Sequence, residues 1–420
     1  MKPTGKEVDP KDRAFGRHIQ KLRQARKLTQ AELAGRMQKT SSWMSQVERG
    51  VQRVERLDVL QDLADALGVS VQQLKPGAPG PAEPPPLQPA VYKSNDLDEA
   101  RRLISGHPAI GTILGALRPA PSKSLAELST DVDEMWELTH AGEFADVSAR
   151  LTELLPDLEQ TVRIVAPEER EEAYLLLART YQALAAAFVR QDAADAAWVA
   201  ADRAIWAAEL SGNHLHVCAG VFRMVHAFVR LRMLGQAEHA ATTAIQALET
   251  VDEREALTAE GLSVLGSLHL ALALVYARGH DRTGARGAID AARRVARRIG
   301  EDRNDFNLEF GVTNVEIQAV STAVELGDAG EALDIGLSID AEGLSPERQG
   351  RLLMDLGRAH AQRRHTGEAL ACLLRAEALD PETVRTHVAS RKAIRELVLV
   401  EGAGAPPELM QLAARAEALE

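Results

Sequence analysis

Aromatic side chains make up only 4% of this 420-residue chain: four Trp, four Tyr and seven Phe. A single large core filled by rings is therefore not available to it. Cysteine occurs twice, at Cys218 and Cys372, far apart and in different apolar segments. That excludes a disulfide framework and fits buried thiols in a reducing cytoplasm. No apolar run approaches the roughly 20 residues of a bilayer span; the longest, "GSLHLALALVYA", runs from Gly266 to Ala277. The opening "MKPTGKEVDPKDR" is charged and carries no apolar stretch, so neither secretion nor membrane insertion is expected, and the expected location is cytoplasmic.

Catalytic signatures are equally scarce. There is no Gly-rich phosphate loop and no nucleophile motif. His214 and Cys218 share a helical face in "HLHVC", but no second Cys/His pair stands at zinc spacing. No enzyme activity, metal or cofactor is expected. The alternating pattern of strands is nearly missing too; "VTNVEIQAV", Val312 to Val320, is the one ambiguous run, and its helical flanks decide for helix.

What the chain has in quantity is acid, alanine and helical period. Its net charge is −12, which taken whole disfavours a polyanionic partner. Between Lys11 and Lys75, however, 13 Lys/Arg face 7 Asp/Glu, so that this segment carries +6 and everything beyond it −18. A basic head on an acidic body is the asymmetry of a chain in which one module alone meets nucleic acid.

The sharpest boundary is "PGAPGPAEPPPLQP", Pro76 to Pro89, which holds 7 of the 18 prolines and reads as an extended tether. A second break, "RPAPSKS", spans Arg118 to Ser124. The organisation expected is a flexible tail (1–11), a helical head (12–75), a Pro-rich linker with a short helical piece (76–122) and a repeat body (123–420). In the head, short periods mark five helices: Phe15, Ile19 and Leu22; Leu33 and Met37; Met44 and Val47; Leu57, Leu60, Ala64 and Leu67; and a last turn capped by Ser70 and ending near Leu74.

In the body the periods lengthen and alanine dominates, which suits stacked helix pairs. Leu353-x2-Leu356-Gly357-x2-His360, followed by Ala369-x3-Leu373, Ala376 and Pro381, reproduces the tetratricopeptide framework. Weaker copies start at Tyr181, Met224 and His269, with crossing alanines at Ala197, Ala240 and Ala285, and "GDAGEAL" supplies Ala332. Their separations of 43, 45, 47 and 37 residues exceed the usual repeat of about 34, so helices or turns are extended here. In such a solenoid the first helix of each pair lines the concave side. That register puts Arg179, Gln182, Arg190, Phe222, Arg232, Ser267, Asn314, Arg351 and Arg358 there. Two readings stay open: a groove for a peptide, small molecule or other anionic ligand, or a solvated face whose arginines pair with neighbouring acids.

One short helix of the head has an odd composition. "TSSWMSQVERG", Thr40 to Gly50, is capped by Thr40; around it Ser42, Ser45, Gln46 and Arg49 fall on one face and Met44 and Val47 on the opposite one. Trp43 lies at the apolar border and has two readings, a core-edge residue, which its place nearer Val47 than Ser45 favours, or an indole N–H that reaches a phosphate. Together with Leu28-Thr29-Gln30 and Leu33-Ala34, the run Met44-Ser45-Gln46-Val47-Glu48-Arg49-Gly50 resembles the helix-turn-helix of the lambda-repressor/Cro-like (XRE) family over Asp12 to Leu74. The resemblance implies that Ser41, Ser42, Ser45 and Gln46 meet base edges in the major groove. Gln46 would be the bidentate reader of adenine, while Gln30 and Thr40 touch phosphates and Arg49, Arg53 and Arg56 add backbone attraction. It also implies that Glu48 pairs with Arg23. At the turn, Gln38 stands where the family usually has glycine.

The expected fold is thus all-α, a five-helix helix-turn-helix bundle followed by a tetratricopeptide-like solenoid. The joined architecture is similar to RRNPP-type peptide-sensing regulators and to actinobacterial XRE–tetratricopeptide regulators. That resemblance implies a homodimeric transcriptional regulator of double-stranded DNA whose body receives a signal. The alternative is an adaptor whose repeats bind a protein partner.

Overall fold

The computed structural model describes residues 9–37, 39–54, 57–75, 95–106, 123–340, 346–379, 381–386 and 388–419. Among these, every regular element is helical, and extended backbone pairs only in an isolated bridge between Arg303 and Phe310. The Pro76–Pro89 tether and Gln38 lie outside the described residues. The chain divides into two compact units, one gathering Met1–Leu87, His360–Leu374 and Ala389–Glu420, the other Gln88–Ala359 and Arg375–Val388.

In the first unit α1 (Pro10–Ala25), α2 (Gln30–Arg36), α3 (Ser41–Glu48), α4 (Leu57–Leu67) and α5 (Val71–Leu74) follow one another as five short helices. Each start that is described has a local cause. Asp9 accepts from the Lys11 amide at 2.8 Å, with Pro10 in the first turn where no amide donor is needed. Thr29 and Glu32 form a reciprocal capping box on α2, as do Ser70 and Gln73 on α5. The helix therefore begins two residues ahead of the expected boundary at Asp12. Ile19, Leu33, Met44, Leu60 and Leu63 are all fully buried and form the centre of the bundle.

The second unit opens with α6 (Asp98–Ser105), then α7 (Leu125–Ala141), α8 (Phe144–Ile164), α9 (Arg170–Arg190), α10 (Ala194–Ser211), α11 (His214–Arg230), α12 (Leu234–Arg254), α13 (Ala259–Arg278), α14 (Arg282–Ile299), α15 (Val312–Leu326), α16 (Ala329–Leu337) and most of α17 (Pro346–Gln362). From α7 to α16 each helix packs on the next, and the alternate helices α7, α9, α11, α13 and α15 also touch one another as an inner row. That is the contact pattern of helix pairs stacked as in a solenoid. Alanine makes it possible. On α10, Ala197, Ala200, Ala201, Ala204, Ala207 and Ala208 are completely buried, so neighbouring backbones approach closely. Of the expected crossing alanines, Ala197, Ala285, Ala332 and Ala369 are 0% exposed. Ala240 is only half-buried while Ala237 and Ala241 are fully buried, which moves the crossing point of that pair off the expected position. The short amphipathic piece of the linker is α6, whose Ala100 and Ile104 join the core of this unit.

Among the described residues one helix, α13, is long and apolar enough to cross a membrane, and 78% of its apolar window is buried inside the protein. Residues 123–420 are expected to form a single repeat body; the structure instead draws the end of α17, the start of α18 (Thr366–Leu379), α20 (Val388–Glu401) from Ala389 onward and all of α21 (Pro407–Arg415) into the first unit, whereas α19 (Pro381–Thr386) stays in the second. The physical reason is Leu399, 2% exposed, which completes the apolar centre built by Ile19, Met44 and Leu60.

The inner row holds three histidines kept neutral, among them His269 on α13, which burial, aided by Arg294, pushes down to about 4. Burial, aided by Arg179, pushes His216 down to about 4, and burial with Arg223, Arg230 and Arg351 pushes His226 down to about 3. The unfolded chain, with histidines near 6.5, binds protons that the folded one refuses. Stability should therefore be complete above about pH 6.5 and decline as pH falls toward 4. Denaturation midpoints measured between pH 7.5 and 4.5 should show this slope, and His226→Gln should flatten it.

Candidate nucleic-acid interface

The short helix α3 is fixed before it is exposed. Thr40 Oγ1 accepts from the Trp43 amide at 3.2 Å and starts it. Met44 and Val47, 0% and 1% exposed, turn one face into the core. Beneath them the approach to α1 is so close that a Cβ on Gly16 would overlap the carbonyls of Val47 and Glu48. Gly50 closes the helix with φ +74°, and a Cβ there would also stand 2.7 Å from the Arg13 amide nitrogen, so glycine is needed on both counts.

The rotation of α3 is set by a buried ion pair. Arg23 Nε lies 2.5 Å from Glu48 Oε1 and Nη2 3.1 Å from Oε2, while Nη1 donates to the Leu28 carbonyl at 2.6 Å. The bond to Glu48 raises the Arg23 pKa further above its ordinary value. Gln30 Nε2 donates to the same Glu48 Oε2 at 2.6 Å. One carboxylate thus ties α1, the start of α2 and the end of α3.

With that face locked, the other is open. Ser41, Ser42 and Arg49 are exposed, and Ser45 and Gln46 are half-buried on the same side. The structure thus brings together the expected base-reading residues Ser41, Ser42, Ser45 and Gln46. Arg49 folds back to donate to the Ser45 carbonyl at 3.2 Å. Arg53, 46% exposed, pairs with Asp12 at 3.0 Å, and Arg56 lies outside the described residues. Gln30 is the departure from expectation: its amide is engaged by Glu48, so it acts first in positioning α3. Trp43 is half-buried against the core, as expected of a core-edge residue.

Two residues escaped the sequence reading. Lys39 holds its ammonium 6.0 Å from the Trp43 ring centroid, a cation–π contact that the four-residue spacing could have suggested. Asp12, 9% exposed, accepts from Arg53 and also from Arg364, whose other nitrogen reaches Asp9 at 3.2 Å. Nothing local in the sequence signals a contact to a residue so distant in the chain.

In the second unit the expected ligand residues are dispersed. Arg179 pairs with Asp133. Arg190 donates to the Thr139 and His140 carbonyls at 2.5 and 3.2 Å and lies over Phe144. Arg358 is buried against Glu325 and Asp355 at 2.7 and 3.1 Å. Gln182, Ser267 and Asn314 are buried rather than groove-facing; Gln182 donates to the His216 carbonyl and Asn314 to that of Glu309. Arg232 sits in a turn with φ +60°, Phe222 stacks edge-on with His226, and Arg351 is half-buried on α17. Inner-row positions pack against the next pair, which is why a register drawn for an open groove buries them. Burial pushes the Cys218 thiol up to about 11, so it remains a protonated core group. Among the described residues no cluster of His, Cys, Asp and Glu could hold a metal ion.

Residues 14–76 match a family model described as a helix-turn-helix domain. No curated protein and no solved structure matches the chain. The head is therefore a helix-turn-helix of the XRE-like kind, which supports a DNA-binding role for residues 14–76.

Removing one member of the buried pair leaves the other charge without compensation, at a cost of about 3–5 kcal/mol. Glu48→Ala should lower the unfolding free energy of the first unit by that order in urea titrations, with Arg23→Met recovering part of the loss in the double variant.

Proposed function

We propose that this chain is a sequence-specific transcriptional regulator that reads double-stranded DNA through α3, with Ser41, Ser42, Ser45 and Gln46 at base edges. The observation that carries this reading is the open polar face of α3 backed by the buried Arg23–Glu48 pair. A helix held so rigidly, with small polar side chains outward, can enter a major groove without reorganisation. Thr40, Arg49, Arg53 and Arg56 supply phosphate contacts that set register but carry no base information, and Gln30 adds to them through the helix terminus it occupies.

The body is read as tetratricopeptide-like. The framework from Leu353 to Pro381 and the stacked pairs of the second unit support that. A peptide, small molecule or protein partner bound along the inner row is proposed as the signal. Arg351 and Phe222 are the best placed of the expected ligand residues, and Arg179, Arg190, Arg232 and Arg358 would have to exchange protein partners for it. A cytoplasmic homodimer is proposed as the working form, since helix-turn-helix proteins meet two half-sites about one helical turn apart.

Selection from random duplexes with the full chain at near-physiological salt should recover a palindrome of that spacing; recovery of no sequence above background would sink the reading. Gln46→Ala should relax preference at one base pair per half-site by about 1–3 kcal/mol. Arg53→Ala should weaken all sequences alike and reduce the salt slope by about 0.9 per site.

A further inference from the structure

Between α14 and α15 an arch, from Arg303 to Phe310, packs on the inner row. Its feet are fixed. The Arg303 amide donates to the Phe310 carbonyl at 2.8 Å, Asp305 accepts from Ser263 Oγ at 2.6 Å and from Arg303 Nε at 2.7 Å, and the buried Phe310 ring fills the space that a Cβ on Gly266 would need. The tip has a different character. Phe306, Asn307 and Glu309 have φ of +54, +53 and +50°, a left-handed backbone that persists in non-glycine residues where surrounding contacts impose it. Here the Phe306 ring meets His216 edge-on at 4.7 Å, and Arg223 Nη2 donates to the Asn307 carbonyl at 2.7 Å and to the Phe306 carbonyl at 3.5 Å.

Arg223 is a cation with no carboxylate in contact among the described residues. Its guanidinium lies over the rings of Trp136 and Phe222, 5.3 and 5.2 Å from their centroids. The acids of the arch are engaged elsewhere: Asp305 holds Arg303, and Glu309 sits 3.7 Å from Arg348 Nε. Burial pushes the Arg223 guanidinium down to about 10, although the charge of Glu309 draws it the other way. Further cations lie near rather than acids, since Arg223, Arg230 and Arg351 all act on His226; Arg230 has Asp192 at 3.8 Å. Two buried donors also find no hydrogen-bond partner, Arg223 Nε and Trp136 Nε1, the indole being only 4% exposed. Unpaired donors beside an uncompensated charge are costly, and an acceptor that itself carries negative charge relieves both.

The arch offers Arg223 a neutral stand-in. One guanidinium nitrogen donates to two carbonyl oxygens beside a phenyl ring, as it would to the two oxygens of a carboxylate on an aromatic residue. A true carboxylate forms shorter, charge-assisted bonds that neutral carbonyls do not match. We propose that Arg223, with Trp136 and His216, is a site for the free carboxylate of an aromatic residue, as at the end of a peptide, and that the Phe306–Asn307 tip of the arch keeps the site closed until such a ligand takes its place. This site rests on the reading of the inner row as the place where a signal binds, and it gives that signal a chemical class.

Calorimetric titration of the full chain with N-acetyl-phenylalanine and with its C-terminal amide tests it. The acid should bind roughly ten-fold more tightly than the amide, and Arg223→Gln should remove that difference. Phe306→Ala takes away the competing ring and should tighten the acid. Far-UV circular dichroism shows whether each variant is folded; if Arg223→Gln is not, Phe306→Ala and the acid–amide pair decide. Phenylpropionate, with ring and carboxylate but no peptide group, separates the sources: equal binding assigns the site to small aromatic acids, weaker binding to peptide ends. Equal binding of acid and amide would overturn the proposal. So would an acid that at millimolar concentration binds neither the wild type nor Phe306→Ala. In either case, binding of random peptides with amidated ends that Arg351→Ala abolishes keeps the wider inner-row reading, and the lack of such binding ends both.

Discussion

The buried pair of Arg23 and Glu48 is the interaction on which the DNA-binding head depends. A desolvated ion pair of this kind contributes little net stability compared with a hydrophobic replacement, and its worth lies in excluding alternative arrangements. Here it has three anchors: the guanidinium also satisfies the Leu28 carbonyl, and the carboxylate also accepts from Gln30. Any rotation of α3 about its own axis would break these bonds together. The outward direction of Ser42, Ser45 and Gln46 is thus decided on the opposite side of the helix. Gly16 and Gly50 are the steric half of the same device, since they let α1 and α3 come close enough for the pair to form.

Much of this was legible in the sequence because it is local. Capping residues, the period of apolar positions and the Ser/Gln face of α3 all act within a few residues, and the pairing of Arg23 with Glu48 came from the family resemblance. The position of Gln30 was legible but its role was not, since a helix-terminal amide can reach outward or inward and only the neighbouring carboxylate decides. The repeat body was legible as a class, through alanine and spacing. Its side-chain directions were not, because a helix that packs on both sides has no outward face to read; Gln182, Ser267, Asn314 and Arg358 illustrate this. Least legible was the union of Leu399 and Arg364 with the head, which depends on packing between segments more than 300 residues apart in the chain.

Composition and function meet in the second unit. Alanine on both faces brings helix axes near one another at little cost in side-chain entropy, but it leaves few large groups to define a unique arrangement. Buried charge supplies that definition instead, through Arg358 with Glu325 and Asp355, and through Arg278 with the same Glu325 at 3.0 Å. Burial raises the Asp355 pKa, a sign of how much the interior charges work against desolvation. The pairs are a means of specifying which helix lies on which.

Asp12 is one carboxylate with two claimants. Arg53 approaches it from the segment that follows α3, and Arg364 from the distant segment between α17 and α18, held in place by a left-handed backbone at φ +63°. Its two oxygens receive them separately, Oδ2 the first and Oδ1 the second. The start of α1, the segment after α3 and the C-terminal helices are thereby fastened at one point, so that neutralising this single carboxylate would release both arginines at once.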